Sequence, residues 1–290
     1  MRLDAYLARE YPEHSRSVWA KLIQRGDVKV NGEVATSVSS NIVETDKVTI
    51  KKDTKKQQEL ELPVIYEDDN LVVIDKPAGV LTHSKGAINE EPTVADFVKS
   101  RVPLQDLVLQ ENNRFGIVHR LDRATSGVLI GAKNDQTRRF LQKQFSDRRV
   151  KKTYLAIVEN PPLKPAARID LPIARDPKRP SRFRVDPKGK PAITDYQVLQ
   201  VLNNGTALIE LKPLTGRTHQ LRVHLAYIGT PIVGDPIYNA ARTELMGKRM
   251  FLHAANLEIT IPGAPENLRK IFTSELPADF QAKIKKRTTE

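Results

Sequence analysis

The densest polar segment of the chain runs from Gly116 to Asn134 and reads GIVHRLDRATSGVLIGAKN. Apolar residues flank its polar centre on both sides, which predicts a turn held between two strands. Asp122 lies in that turn between Arg120 and Arg123, and neighbouring cations keep a carboxylate ionised. An ionised, oriented carboxylate can act as a nucleophile. The residues alone also allow a plainer interpretation, in which Asp122 only caps the turn at Thr125–Gly127.

The composition is that of a soluble globular protein of about two domains, with 290 residues, 39% hydrophobic and 28% charged. Lys and Arg number 47 against 35 Asp and Glu, a formal net charge of +12. This excess favours a polyanionic partner, chiefly nucleic acid, although a merely basic enzyme would show it too. Two segments, Arg138–Lys152 and Lys164–Lys190, are enriched in basic residues. Each predicts either contacts to a phosphate backbone or a solvated face.

Several function classes lack their sequence signals. The chain has no cysteine, which excludes disulfides, iron–sulfur clusters and thiolate zinc sites. The N-terminal segment is charged and no apolar run approaches the roughly 18 residues of a membrane span, so we expect a cytoplasmic protein without membrane contact. The glycine patterns of dinucleotide sites, P-loops and nucleophile elbows are missing. We therefore expect a reaction without a cofactor or a required metal.

The periodicity of apolar residues predicts an α+β fold with two domains. Residues 1–50 form a small unit of two helices and a β-hairpin at Asn31-Gly32, and the polar residues 51–59 form a linker. Residues 60–280 predict a mixed, mainly antiparallel sheet with flanking helices, because strands and helices do not alternate strictly. Residues 281–290 form a basic tail.

Several helix boundaries follow from the pattern. Ser15 and Ser17 are candidate N-caps of the second helix, and Thr218 lies near the start of a later one. In that later helix an apolar stripe places Arg222 at its rim, about 100° from Leu221.

The segment His119–Gly127 resembles the catalytic motif H-R-L-D-x-x-T-S-G of the RluA-type RNA pseudouridine synthases. Further motifs of that family follow in the expected order: Glu67–Gly79 ending in K-P-A-G, Lys151–Ala156 containing K-x-Y-x-A, Thr215–Leu225 containing G-R-T-H-Q-L-R-V-H, and Phe251–Ala254 containing L-H-A. One departure is Glu159-Asn160, where the family commonly has a glycine.

The resemblance implies a role for each of several residues. Asp122 is the nucleophile, Arg222 forms an ion pair with it, and Tyr154 packs on the target base. Arg120 fills the space that the extruded base leaves, or holds a phosphate. We expect the four histidines of the motifs to be structural, namely His119, His219, His224 and His253.

The first 50 residues resemble an S4 RNA-binding domain, with an R-L-D start, S-R-S at Ser15–Ser17 and V-N-G at Val30–Gly32. The resemblance implies an RNA-binding surface near the helix pair and the hairpin. Its basic residues are Arg2, Arg16, Lys21, Arg25 and Lys29. Contacts of this kind position a protein on RNA without reading the sequence.

The two resemblances imply an enzyme that isomerises uridine in RNA to pseudouridine without a cofactor. An S4 unit ahead of the catalytic domain suggests large-subunit ribosomal RNA, with transfer RNA as a further possible substrate, and we expect a monomer. A different class of protein, a non-catalytic S4-type RNA-binding or ribosome-assembly factor, is the alternative. The sequence leaves open which uridine is modified. It also leaves open whether Asp122 attacks C1′, attacks C6 or removes a ribose proton.

Overall fold

A computed structural model gives the fold of the chain and describes residues 1–12, 15–43, 45–51, 60–84, 91–102, 114–202, 205–239, 249–265 and 268–285. The chain divides into two compact units, Met1–Glu59 with Ser84–Pro92 and Leu60–His83 with Thr93–Glu290. Nearly all of the expected linker lies outside the described residues. Residues 281–285 of the expected basic tail continue the last helix, and the rest of that tail is not described.

The first unit contains two helices and a three-stranded antiparallel sheet. Its elements are α1 (Leu3–Glu10), α2 (Arg16–Arg25), β1 (Val28–Val30), β2 (Glu33–Val34) and β3 (Val48–Ile50), with β1 between β2 and β3. The apolar faces of the helices pack on the sheet around buried Trp19, as their helical spacing predicts.

Local signals set most of the turns in this unit. Asn31 and Gly32 both have positive φ, 53° and 89°, as a two-residue hairpin turn requires. Ser15 is the N-cap residue of α2, but its hydroxyl contacts that of Ser17 instead of a helix N–H. The predicted capping by serine hydroxyls is therefore wrong, although the helix begins where the sequence indicates.

The second unit contains eleven strands and four helices among the described residues. They are β4 (Val64–Glu67), β5 (Leu71–Lys76), α3 (Val94–Lys99), β6 (Ser126–Ala132), α4 (Asp135–Ser146), β7 (Lys151–Glu159), β8 (Ala166–Asp170), β9 (Ile173–Arg175), β10 (Phe183–Val185), β11 (Ile193–Leu202), β12 (Thr206–Pro213), α5 (Gln220–Tyr227), β13 (Leu252–Ile259), β14 (Lys270–Thr273) and α6 (Ala278–Lys285).

Nine of these strands form one sheet. Eight of them run in the order β4-β5-β6-β13-β7-β12-β11-β8, and β14 pairs with β13. All pairings in this sheet are antiparallel except that of β6 with β13, which confirms the prediction of a mixed, mainly antiparallel sheet. A separate hairpin joins β9 and β10.

The parallel pair at the centre of the sheet depends on Gly127. This residue has a φ of 114° and pairs with Ala254 of β13. A Cβ at this position would lie 2.2 Å from the Ala254 carbonyl oxygen, so a side chain does not fit. The glycine that ends the quoted H-R-L-D-x-x-T-S-G motif thus allows β6 and β13 to approach directly after the Asp122 turn.

Candidate active site

Hydrogen bonds to the backbone on both sides of Asp122 hold the turn, one from within the turn and two from the Thr82 hydroxyl. The Asp122 carbonyl accepts the N–H of Thr125 at 3.0 Å, so the backbone closes the turn and the carboxylate is free to point elsewhere. Thr82 anchors the preceding residue, Leu121, by donating to its carbonyl at 2.8 Å and accepting its N–H at 3.2 Å. The plainer interpretation, in which the Asp122 side chain caps this turn, is not what the structure shows.

Lys76 binds the carbonyl of Arg123, the residue that follows Asp122. Its side chain is fully buried and its Nζ donates to the carbonyls of Pro77 and Val80 at 2.9 Å and of Arg123 at 3.3 Å. Burial lowers the pKa of Lys76 to about 7, against the attraction of Asp122. The K-P-A-G motif thus carries a structural clamp for the Asp122 loop, a role that sequence reasoning did not assign.

Arg222 connects Asp122 to a second carboxylate. Its Nη1 donates to Asp122 Oδ2 at 2.9 Å, while its Nε and Nη2 donate to the two oxygens of Asp235 at 2.7 and 2.8 Å. The Arg222 side chain is 4% exposed. Two carboxylates thus replace water around a guanidinium that follows Leu221 on α5, and the expected ion pair with Asp122 is present.

Asp235 is the residue of this chain of ion pairs that sequence reasoning missed. It is fully buried and also accepts the N–H groups of Ile237 and Tyr238 at 2.8 and 3.0 Å. Burial raises the pKa of Asp235, but the hydrogen bonds and charge of Arg222 outweigh that effect and lower it. No sequence pattern marks it, since it lies in a loop 13 residues from Arg222.

Tyr154 projects from β7 into the same region. It packs against two apolar clusters, one of which contains Leu121 and the other Leu221. Burial and the negative charge of Asp122 raise the pKa of Tyr154 well above its ordinary value. Its hydroxyl therefore stays protonated at neutral pH and is available as a hydrogen-bond donor.

His219 lies beside Asp122, although we expected it to be only structural. It precedes α5 with a φ of 57°, a conformation that is uncommon outside glycine and asparagine. Its Nε2 is 3.8 Å from Asp122 Oδ2 and its Nδ1 is 3.0 Å from the hydroxyl of Tyr238. Thr218 lies near the start of α5, as predicted, and the N-cap residue itself is His219, without a side-chain cap. The available signal was the spacing of three residues from Arg222, which places both on one side of a helix.

The other three histidines of the motifs have structural surroundings. His119 accepts the N–H of Ile130 at 3.1 Å and stacks on Phe145, and burial lowers its pKa to about 3. His224 and His253 are fully buried, and both ring nitrogens of each have hydrogen-bond partners. These contacts fit the structural role that we expected of them.

The side chains around Asp122 line a cavity of about 420 Å³, a volume within the range of small-molecule sites. Asp122, Tyr154, His219 and Arg222 all line it. Its wall also contains the basic residues Arg120, Arg148, Lys152 and Arg217. A carboxylate next to a neutral phenol, inside a cationic rim, is suited to a reaction on an anionic polymer.

Arg120 is an exposed member of that rim. Its Nη1 lies 3.5 Å from Nε2 of His83, and the guanidinium is otherwise open to solvent. Lys152 lies deeper, where burial lowers its pKa to about 8. The predicted RNA-contacting arginine thus stands at the entrance of the cavity that contains Asp122.

A family model of RNA pseudouridylate synthases matches residues 70–227, a segment that includes Asp122, Tyr154 and Arg222. This chain belongs to the RNA pseudouridine synthase family. An S4 domain model matches residues 1–48. The resemblances drawn from the motifs are confirmed, and with them the class of enzyme, an isomerase.

Individual relatives agree with the family models. The chain is 38% identical to a ribosomal large subunit pseudouridine synthase D of Borreliella burgdorferi, over 97% of this chain and 87% of the relative. It is 40% identical to a dual-specificity RNA pseudouridine synthase RluA of Escherichia coli, over 77% of this chain and 96% of the relative. The solved structure of human RNA pseudouridylate synthase domain containing 1 matches with a TM-score of 0.60 and 29% identity, covering 75% of this chain and 84% of that one.

The S4 domain of this pseudouridine synthase presents fewer free cations than its sequence suggests. Arg2 and Arg16 both pair with the buried carboxylate of Asp4, and Arg25 pairs with Asp27. The remaining candidates, Lys21 and Lys29, are exposed and have no ion pair among the residues that the structure describes. Three of the five predicted RNA-binding cations are therefore partly neutralised within the domain.

Two further observations concern the described residues alone. Among them, no cluster of three or more histidine, aspartate or glutamate side chains could hold a metal ion. The described helices are also too short or too polar for any of them to cross a membrane.

Proposed function

We propose that this pseudouridine synthase converts uridine in large-subunit ribosomal RNA to pseudouridine, with Asp122 as the nucleophile and without a cofactor. The observation that carries the proposal is the Asp122 carboxylate, fixed through Oδ2 by buried Arg222 at a cavity that Tyr154 also lines. All three residues are present and assembled, which favours the enzyme over a non-catalytic S4-type RNA-binding protein. Several of the relatives that span nearly the whole chain are named for the large ribosomal subunit, which supports that substrate.

The reaction needs little more than these residues. The bond between N1 of uracil and C1′ of ribose breaks, the uracil turns, and a bond from C5 to C1′ replaces it. The C5 proton leaves and N1 gains one, so the atoms balance and no co-reactant is required. Arg222 fixes Oδ2 of Asp122, and Oδ1, which has no hydrogen-bond partner among the described residues, faces the reaction.

Tyr154 and Arg120 complete the proposed mechanism. The ring of Tyr154 packs on the extruded uracil, and its hydroxyl oxygen takes the C5 proton as the hydroxyl passes its own proton on to water. Arg120 occupies the space that the extruded base leaves, or binds its phosphate. Extrusion from RNA costs a few kcal/mol, least in loops, and the cationic rim offsets part of that cost. We also propose that the enzyme acts as a monomer in the cytoplasm.

The test is release of tritium from RNA labelled at C5 of uridine, with transcripts of large-subunit ribosomal RNA and of transfer RNA. We expect the wild type to release tritium from the ribosomal transcript, and Asp122→Asn to be slower by about 10⁴-fold or more. The control is Asp69→Asn, which changes an exposed aspartate outside the cavity and leaves the rate unchanged. Release from neither transcript by the wild type would favour the RNA-binding alternative, and equal rates for wild type and Asp122→Asn would refute the assigned nucleophile.

A further inference from the structure

His219 has an environment that fixes which of its ring nitrogens carries the proton. The hydroxyl oxygen of Tyr238 accepts the backbone N–H of Phe183 at 2.9 Å and lies 3.0 Å from Nδ1 of His219, so the hydroxyl is placed to donate its own proton to Nδ1. The rings of Phe183 and Tyr238 pack edge-on against the imidazole at 5.5 and 5.7 Å and hold its orientation. With Nδ1 as an acceptor, the proton of a neutral imidazole is on Nε2.

Electrostatics near Nε2 favours the same tautomer. Nε2 faces Asp122 Oδ2. A lone pair on Nε2 would be repelled by this carboxylate oxygen, whereas an N–H group on Nε2 is attracted to it. Burial lowers the pKa of His219 and outweighs the opposite effect of the Asp122 charge, so the ring is neutral at pH 7. His219 is therefore a fixed, neutral N–H donor aimed at the oxygen that Arg222 also binds.

The gap between His219 and Asp122 matches one chemical group. At 3.8 Å the two atoms are too far apart for a direct hydrogen bond, yet an oxygen about 2.8 Å from each spans that distance. Such an oxygen would accept the N–H of His219 and donate to Asp122. A water or a hydroxyl does both, and among the groups of a nucleotide in RNA only a hydroxyl does, because phosphate and carbonyl oxygens have no proton to donate.

We propose that His219 and Asp122 Oδ2 together bind the 2′-hydroxyl of the target uridine, so that His219 determines specificity for ribose. Inside an RNA chain the 3′ and 5′ oxygens are esterified, which leaves the 2′-hydroxyl as the free one. The contact keeps Asp122 Oδ2 engaged and Oδ1 at the reacting side of the sugar. Hydrogen bonds to the sugar 2-hydroxyl strengthen in the transition state of other glycosidic cleavages. This inference rests on the proposed function.

Two substitutions at this position separate the donor role from a structural one. His219→Gln places an amide N–H near the position of Nε2, whereas His219→Asn places it near Nδ1. The positive φ of residue 219 favours Asn over Gln, so a purely structural role predicts that the Asn variant is the better enzyme. The donor role predicts the reverse order, with Gln within about tenfold of the wild type and Asn slower by about 100-fold.

Removal of the 2′-hydroxyl from the substrate tests the same hydrogen bond from the other side. Tritium release from fragments of the RNA first locates the target uridine. The probe is then a synthetic RNA around this position that contains either uridine or 2′-deoxyuridine there. We expect the wild type to prefer the ribose form by about 100-fold and His219→Asn to prefer it by less than about tenfold, because both changes remove the same hydrogen bond. Equal preferences in the two enzymes, or an Asn variant that is faster than the Gln variant, would overturn the proposal.

A second measurement does not depend on activity. In the full chain labelled with ¹⁵N-histidine, His219→Gln identifies the His219 signals among those of six histidines. Nitrogen chemical shifts should show the proton on Nε2 in the wild type, and a proton on Nδ1 would refute the assignment. A wild type that releases no tritium from any RNA would refute the proposed function. The nitrogen chemical shifts would still show, independently of activity, whether Nε2 of His219 carries the proton.

Discussion

Two clusters of arginine and aspartate in this protein have opposite charge arrangements. In the catalytic domain one guanidinium, Arg222, lies between two carboxylates, Asp122 and Asp235. In the S4 domain one carboxylate, Asp4, lies between two guanidiniums, Arg2 and Arg16. The first cluster is buried around its cation, which is 4% exposed, whereas the cations of the second are about half exposed.

The difference shows how one pair of residue types serves two purposes. The catalytic cluster carries a net negative charge in a low-dielectric site, so its geometry is strongly determined and it holds one carboxylate oxygen at the reaction site. The S4 cluster carries a net positive charge at the surface, where water screens it and long side chains can reorient. The buried pair fixes the position of a carboxylate, whereas the half-exposed pairs leave part of each guanidinium open to solvent.

The largest expected effect tests the buried cluster. Asp235→Asn should lower the free energy of unfolding by about 3–5 kcal/mol, because it removes the main partner of a buried guanidinium. The control is Asp195→Asn, which breaks the exposed pair with Arg168 and should cost less than about 1 kcal/mol. Denaturant unfolding of the two variants measures both values, and equal losses would remove the distinction between the clusters.

A smaller effect is expected for Asp4→Asn. It leaves Arg2 and Arg16 without their shared carboxylate and should destabilise the S4 domain by about 1–2 kcal/mol. Trp19 is the single tryptophan of the chain and is buried in this domain, so its fluorescence reports the unfolding of the S4 domain specifically. A Trp19 transition that occurs at the same denaturant concentration in Asp4→Asn as in the wild type would show that the cluster around Asp4 adds no stability.

The same cluster predicts a dependence on acid. Hydrogen bonding to Arg16 lowers the pKa of Asp4 from 3.8 to about 2, so the folded domain binds fewer protons than the unfolded chain in this range. Its contribution to stability is complete above about pH 4 and is lost as the pH falls towards 2. Trp19 fluorescence in denaturant from pH 5 to pH 2 should show this loss in the wild type. Asp4→Asn should lack that component, and an equal slope in the variant would contradict the assignment.

The smallest effect concerns cations of the S4 surface. Lys21→Gln with Lys29→Gln should weaken RNA binding a few-fold and reduce the slope of log affinity against log salt by about 1 for each lost phosphate contact. Arg25→Gln removes a cation that is already paired with Asp27 and should change the slope less. Titration of RNA at several salt concentrations measures the slopes. The rate at saturating RNA should not change in either variant, and a large loss of rate would place these residues in the chemistry instead.

Local signals in the sequence were sufficient for the elements and for much of the site. The Asn31-Gly32 hairpin and the apolar periodicity of α1 and α2 depend on neighbouring residues only, so they were predicted correctly. The motif around Asp122 located the turn that leads into β6. The strand expected before the turn is wrong, because Ile117 forms only an isolated bridge with Gly131. Motif resemblance then indicated that Asp122 and Arg222 pair, and the structure places them 2.9 Å apart.

The tertiary structure alone decided which partners complete each cluster. Asp235 lies in a loop that has no recognisable sequence pattern. The sequence places His219 at a helix end, and only the fold brings Tyr238 and Phe183 into contact with its ring. Asp4 likewise neutralises cations that the sequence presented as free. The sequence determines local conformation and residue type through interactions a few positions apart. Burial, tautomer and ion pairing depend on distances between residues that are remote in the chain, and only the folded chain sets those distances.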